Sequence, residues 1–117
     1  MASYHVVITG HLDEWRLPPD GSLPPQIHQV YNFDTENPQK IIEQVDLRMG
    51  DILQSGAMKA YKDPFNLKVG AIEPFYTIPL HMITHLTHKV IPVTGETPFL
   101  NAKGELYVKS GKAVVKN

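Results

Sequence analysis

The chain contains no cysteine, which removes disulfides, thiolate metal centres and cysteine nucleophiles together. Small secreted domains commonly lean on disulfides, so their absence points to a reducing, cytoplasmic setting. Long apolar runs are also missing. The run Val6-Val7-Ile8 is too short for a signal-peptide core, has no basic flank, and passes into Thr9 and Gly10 as a strand would. No segment approaches the roughly 18 apolar residues that a membrane span needs, so no membrane partner is expected. Neither sign of charge is in excess: eleven Lys and Arg stand against twelve Asp and Glu, for a formal net charge of −1. Without a global field, nucleic acid is not an expected partner either. The chain lacks an Asn-x-Ser/Thr acceptor, a P-loop, a GxGxxG and a GxSxG, which leaves nucleotide-dependent and serine-hydrolase chemistry unsupported. It shows no internal repeat and no low-complexity tract, which excludes a solenoid.

What is there has the composition of one packed domain. With 117 residues, 42% of them hydrophobic and 20% charged, the chain can bury about two thirds of the surface its unfolded form exposes. Divided in two, neither part would hold a core, so one domain spanning 1–117 is expected.

The β-branched stretch from Tyr4 to Leu12 reads as a first strand and Ile27 to Phe33 as a second. Between them Pro18, Pro19, Pro24 and Pro25 bracket Asp20-Gly21. Paired prolines hold the chain extended and Asp-Gly turns it, so an ordered excursion is expected. A helix opens with Asn37 as N-cap and Pro38 at the first helical position. Ile41, Ile42, Val45, Met49, Ile52 and Leu53 then fall within an arc of roughly 120°, a stripe that must bury against a sheet. Ser55-Gly56 supplies the stop, although Ala57 and Ala60 would allow another turn. Beyond it the chain is β-like through Leu67, Val69, Ala71 and Ile72 and again from Phe75 to Val93, where Pro74 and Pro79 argue for edge strands, bends or bulges. At the C-terminus, 105–109 and 112–116 flank Ser110-Gly111 as a hairpin. The fold class is therefore α+β: an antiparallel sheet packed on one main helix, about residues 38–54, with a C-terminal β-hairpin.

Three features bear on chemistry. His81, His85 and His88 have spacings of four and three, which on a helix would put three imidazoles on one face as a metal site. On a strand His81 and His85 share a face while His88 points away. Thr84, Thr87 and the pair Val90-Ile91 favour the strand, so a histidine-bound divalent metal is the less favoured reading. Glu73 is the single charge in an apolar stretch. If buried, its raised pKa would suit general acid or base work, with Tyr76 or His81 across a pocket, although a Glu before Pro is more often a surface turn. Trp15, beside the proline-rich loop, is either a partner-binding anchor or folds its own loop onto the body. Lys103, Lys109, Lys112 and Lys116 around Tyr107 read as protection of an exposed strand edge.

No constellation supplies a complete nucleophile, base and stabiliser. The leading expectation is a non-catalytic binding or assembly module that self-associates, because one helix covers only part of a sheet and residues 67 to 93 leave apolar surface over. A small-molecule or protein ligand is equally compatible with such a module. The alternative is a small pocket enzyme using Glu73 with His81, His85 and His88 for acid/base or metal-assisted chemistry.

Overall fold

The computed structural model describes residues 2–13, 15, 17–20, 24–61, 65, 75–93, 98–100 and 105–107. Its centre is an antiparallel sheet of three strands: β1 (Ala2–Leu12) lies between β2 (Gln26–Thr35) and β5 (Ile83–Pro92). β1 and β2 stay in register from Ala2 opposite Thr35 to His11 opposite Gln26. The Leu12 N–H then donates to the Pro25 carbonyl at 2.9 Å, fixing the base of the proline-bracketed excursion. Leu17 inside that excursion packs against the core.

Helix α1 (Lys40–Ser55) follows β2. The Asn37 side chain accepts from the Gln39 N–H at 3.1 Å just ahead of the helix, but the N-cap position itself falls on Gln39, which makes no side-chain cap bond, rather than on Asn37 as expected. The next two N–H groups, of Lys40 and Ile41, reach back three residues to the carbonyls of Asn37 and Pro38. That tighter first turn is why the regular helix starts at Lys40, two residues beyond Pro38. At the other end Gly56 takes φ 75° and gives its N–H to the Ile52 carbonyl at 3.0 Å. This left-handed closure suits glycine and ends the helix where Ser55-Gly56 indicates. Ala57 and Ala60 do not prolong it; they belong to β3 (Ala57–Tyr61), which pairs antiparallel with β4 (Phe75–Pro79). A single 3-10 turn, Leu80–Met82, leads from Pro79 into β5. The stretch from 83 is thus a strand, as its threonines and β-branched residues favour. The last described pair is β6 (Phe99–Leu100) with β7 (Leu106–Tyr107). The strand begun near Glu105 is present, and its described partner precedes it in the chain; residues 108–117, with the Ser110-Gly111 connection, lie outside the described residues.

One face of the central sheet meets the helix. Val6, Ile41, Val45 and Val90 form one buried cluster; Ile8, Leu12, Ile27, Ile52, Met58 and Ile78 form a second. Tyr31 and Met49 pack against both clusters and join them. Each such side chain contributes about 1.5–3 kcal/mol when fully buried. The apolar stripe of α1 is narrower than its sequence pattern: Ile41, Val45 and Ile52 are buried, whereas Ile42 and Leu53 on its flank are 57% and 62% exposed. A helix laid on a twisted three-stranded sheet has one line of contact, and residues well off that line stay outside. The Arg48 guanidinium covers the Tyr31 ring at 4.7 Å, which adds a cation–π contact between α1 and β2. Gly10 lies on the helix-side face beneath Met58, where a β-carbon would come within 2.8 Å of the Met58 sulfur. Among the described residues no helix is long and apolar enough to cross a membrane.

Candidate functional site

Side chains alternate along a strand, so the register assigns β1 residues to two faces. Val6, Ile8, Gly10 and Leu12 face the helix; His5, Val7, Thr9 and His11 occupy the opposite face. Two adjacent cross-strand rows on this second face are polar. One row runs His28, Thr9, Thr87 and the next Gln26, His11, His85.

In the first row Thr9 and His28 are both buried, and the Thr9 hydroxyl shares a 2.8 Å hydrogen bond with His28 Nδ1. In the second row the His11 and His85 rings stack, with centroids 4.2 Å apart and planes within 6° of parallel. His11 Nε2 shares a 2.9 Å hydrogen bond with the Thr87 hydroxyl. The register shifts immediately beyond this pair: His11 faces His85 while Leu12 faces Ile83, so Thr84 is the extra residue of a bulge. Its hydroxyl donates to the His11 carbonyl at 2.9 Å and lies 3.2 Å from His85 Nδ1. The irregularity thus converts a threonine into a clamp that fixes both histidines. Burial, and secondarily the neighbouring His85, lower the His11 pKa below the ordinary histidine value. Further along the same face His5 donates from Nδ1 to Asn32 Oδ1 at 2.7 Å and meets the Phe65 ring edge-on at 5.4 Å.

The residues singled out in the sequence are dispersed by comparison. His81 is exposed in the 3-10 turn before β5. His85 pairs with His11, whereas His88 pairs with Ile8, on the helix-side face. β5 therefore separates His85 from His88, and among the described residues no group of three His, Asp or Glu is arranged to hold a metal ion. Tyr76 lies in β4 opposite Ala60, and Glu73 lies outside the described residues, as do Lys103, Lys109, Lys112 and Lys116. Trp15 is 77% exposed. An open groove of about 680 Å³ lies where β2 runs into α1, lined by Phe33, Asp34, Glu36, Lys40 and Glu43 among others; among the described residues none of the sequence candidates lines it.

The sequence reading passed over His5, His11 and His28. A signal for them exists, since His5, Val7, Thr9 and His11 share parity within the first strand, but only the pairing register brings His11 to His85. The chain matches no protein-family model, no curated protein and no solved structure with which it was compared.

Proposed function

We propose that the protein is a non-catalytic binding or assembly module that self-associates, with Trp15 as the anchor of the contact. One observation carries the reading: a large aromatic side chain stands 77% exposed on a connection whose base is tied by the Leu12–Pro25 hydrogen bond and whose Leu17 is packed inward. An apolar ring displayed on a held loop loses little conformational freedom when a partner covers it, and Trp is the side chain most enriched among interface hot spots. Ile42 and Leu53, exposed on one flank of α1, add apolar surface of the same kind.

Trp15 is also the sole tryptophan of the chain, so its fluorescence reports its own burial. Sedimentation velocity and emission spectra are recorded over a dilution series. The proposal expects mass to rise towards a dimer with concentration while the emission maximum moves to the blue, and expects Trp15→Ala to remain monomeric with an unchanged circular dichroism spectrum. A monomer at every concentration with invariant emission would refute self-association through Trp15.

A further inference from the structure

We propose that the stacked His11–His85 pair is a proton-operated latch: with no more than one positive charge on the pair it fastens the start of β5 to the end of β1, and a second charge releases residues 83–87 while the rest of the sheet stays paired. The rings lie plane on plane, with centroids 4.2 Å apart and within 6° of parallel. Two neutral rings, or one charged ring over one neutral ring, can hold this arrangement, whereas two like charges within about 4–6 Å oppose each other. Groups coupled this closely titrate as a pair, in two macroscopic steps. Burial first, and His85 second, hold His11 below the ordinary histidine value of 6.5, which places the second step on the acid side of that value. Hydrogen bonding blocks neither step. The Thr84 hydroxyl gives its one hydrogen to the His11 carbonyl at 2.9 Å, so towards His85 Nδ1, 3.2 Å away, it accepts, and His85 Nε2 is left to take a proton. His11 Nε2 faces the Thr87 hydroxyl at 2.9 Å, which can accept once that nitrogen carries a proton.

The surroundings do not neutralise a doubly charged pair. The other titratable groups on this face are His28, His5 and Lys89, with Asp34 at its far end opposite Ser3. Asp13 follows β1 and His81 sits in the turn before β5. Among the described residues no carboxylate enters the causes that act on His11. β5 is also unevenly held. At its far end Val90 and Ile91 are 1% and 2% exposed, and the Val93 N–H donates to the Ser3 carbonyl at 2.9 Å. At its start Thr84 and His85 are exposed, Ile83 and Leu86 are half-buried, and the bulge already breaks the register. Repulsion there is relieved by moving the start of β5 alone, because a lightly buried strand end opens at far less cost than a core segment. The latch acts within one chain and does not rest on self-association.

The test takes the full chain from pH 8 to pH 4.5 in chelator, follows the histidine ring proton signals by NMR, and measures amide hydrogen exchange at each pH, corrected for its intrinsic rate. The signals of His11 and His85 should move together in two steps, the second below pH 6.5. Across that second step the protected amides of residues 83–87 should lose protection by at least about tenfold while those of Val90 and Ile91 keep theirs. His11→Gln and His85→Gln each remove one of the two charges and should abolish the acid-dependent loss; His81→Gln and His88→Gln should retain it. Independent single-step titrations of the two rings, an equal loss of protection at Val90 and Ile91, or an acid-dependent opening that persists in His85→Gln would each overturn the proposal. The ring titration and exchange pattern of the unsubstituted chain decide the matter even if a variant fails to fold.

Discussion

Gly10 offers the sharpest test of how the core is assembled. A β-carbon there would lie 2.8 Å from the Met58 sulfur, 3.2 Å from Ile27 Cγ1 and 3.4 Å from Ile83 Cδ1, where unstrained contacts need about 3.5–4.0 Å. Met58 is fully buried, so its sulfur has to retreat into occupied space. Overpacking of this kind costs about 1–3 kcal/mol. Against it stands the reduced entropy of the unfolded chain when alanine replaces glycine, about 0.5–1 kcal/mol. Gly10→Ala should therefore destabilise by about 1–2 kcal/mol, which moves the urea midpoint down by about 0.5–1 M at a slope of about 2 kcal/mol per M. The cause is isolated by a double-mutant cycle. Met58→Ala alone should cost about 2–5 kcal/mol by opening a cavity, yet in that background Gly10→Ala meets no sulfur and should be neutral or stabilising by about 0.5 kcal/mol. Equal costs of Gly10→Ala in both backgrounds, within about 0.5 kcal/mol, would refute the reasoning.

Two helix glycines should respond with opposite signs. Gly56→Ala forces a β-carbon into φ 75° with open space around it, a purely backbone strain of about 1–2 kcal/mol, while Gly50→Ala, also in open space within the helix, should stabilise by about 0.5–1 kcal/mol; chemical denaturation of both variants checks the pair. Thr9→Val keeps the shape of a buried residue but removes the hydroxyl bonded to His28, so a loss of about 1–3 kcal/mol is expected, and a variant as stable as the parent would contradict that bond. The lowered His11 pKa means the folded chain takes up its proton later than the unfolded chain on acidification. Its contribution is fully present above the ordinary histidine value of 6.5 and is lost as pH falls from there through the lowered folded value. Stability measured in chelator from pH 7.5 to 5 should fall less steeply for His11→Gln than for the parent, and identical profiles would exclude the effect.

How much of this was legible beforehand depends on the range over which each feature is determined. Asn37-Pro38 and Ser55-Gly56 mark the helix ends by local hydrogen bonding and backbone geometry, and both ends lie within two residues of those signals. The strands of the sheet announced themselves through β-branched residues. The width of the helix contact did not, because Ile42 and Leu53 have the pattern of a core face and only the placement of the sheet leaves them outside. The histidines show the same divide. Spacing within 81–88 is a property of one segment, whereas the His11–His85 stack joins β1 to β5 through a register and a bulge at Thr84 that no local pattern encodes.

The central position of β1 also sets an order of folding events. Its pairing with β2 spans only the proline-bracketed connection of residues 13–25, so that hairpin can close before β5 is available. Its other edge waits for β5, whose pairing of Tyr4 with Pro92 and Val6 with Val90 requires α1, β3 and β4 to have passed first. Contacts of such sequence separation place folding in the slow range of milliseconds to seconds. Throughout that interval Val6, Val7 and Ile8 form an open, β-branched strand edge on which another chain can add. Refolding yield should consequently fall with protein concentration even though the finished sheet seals that edge.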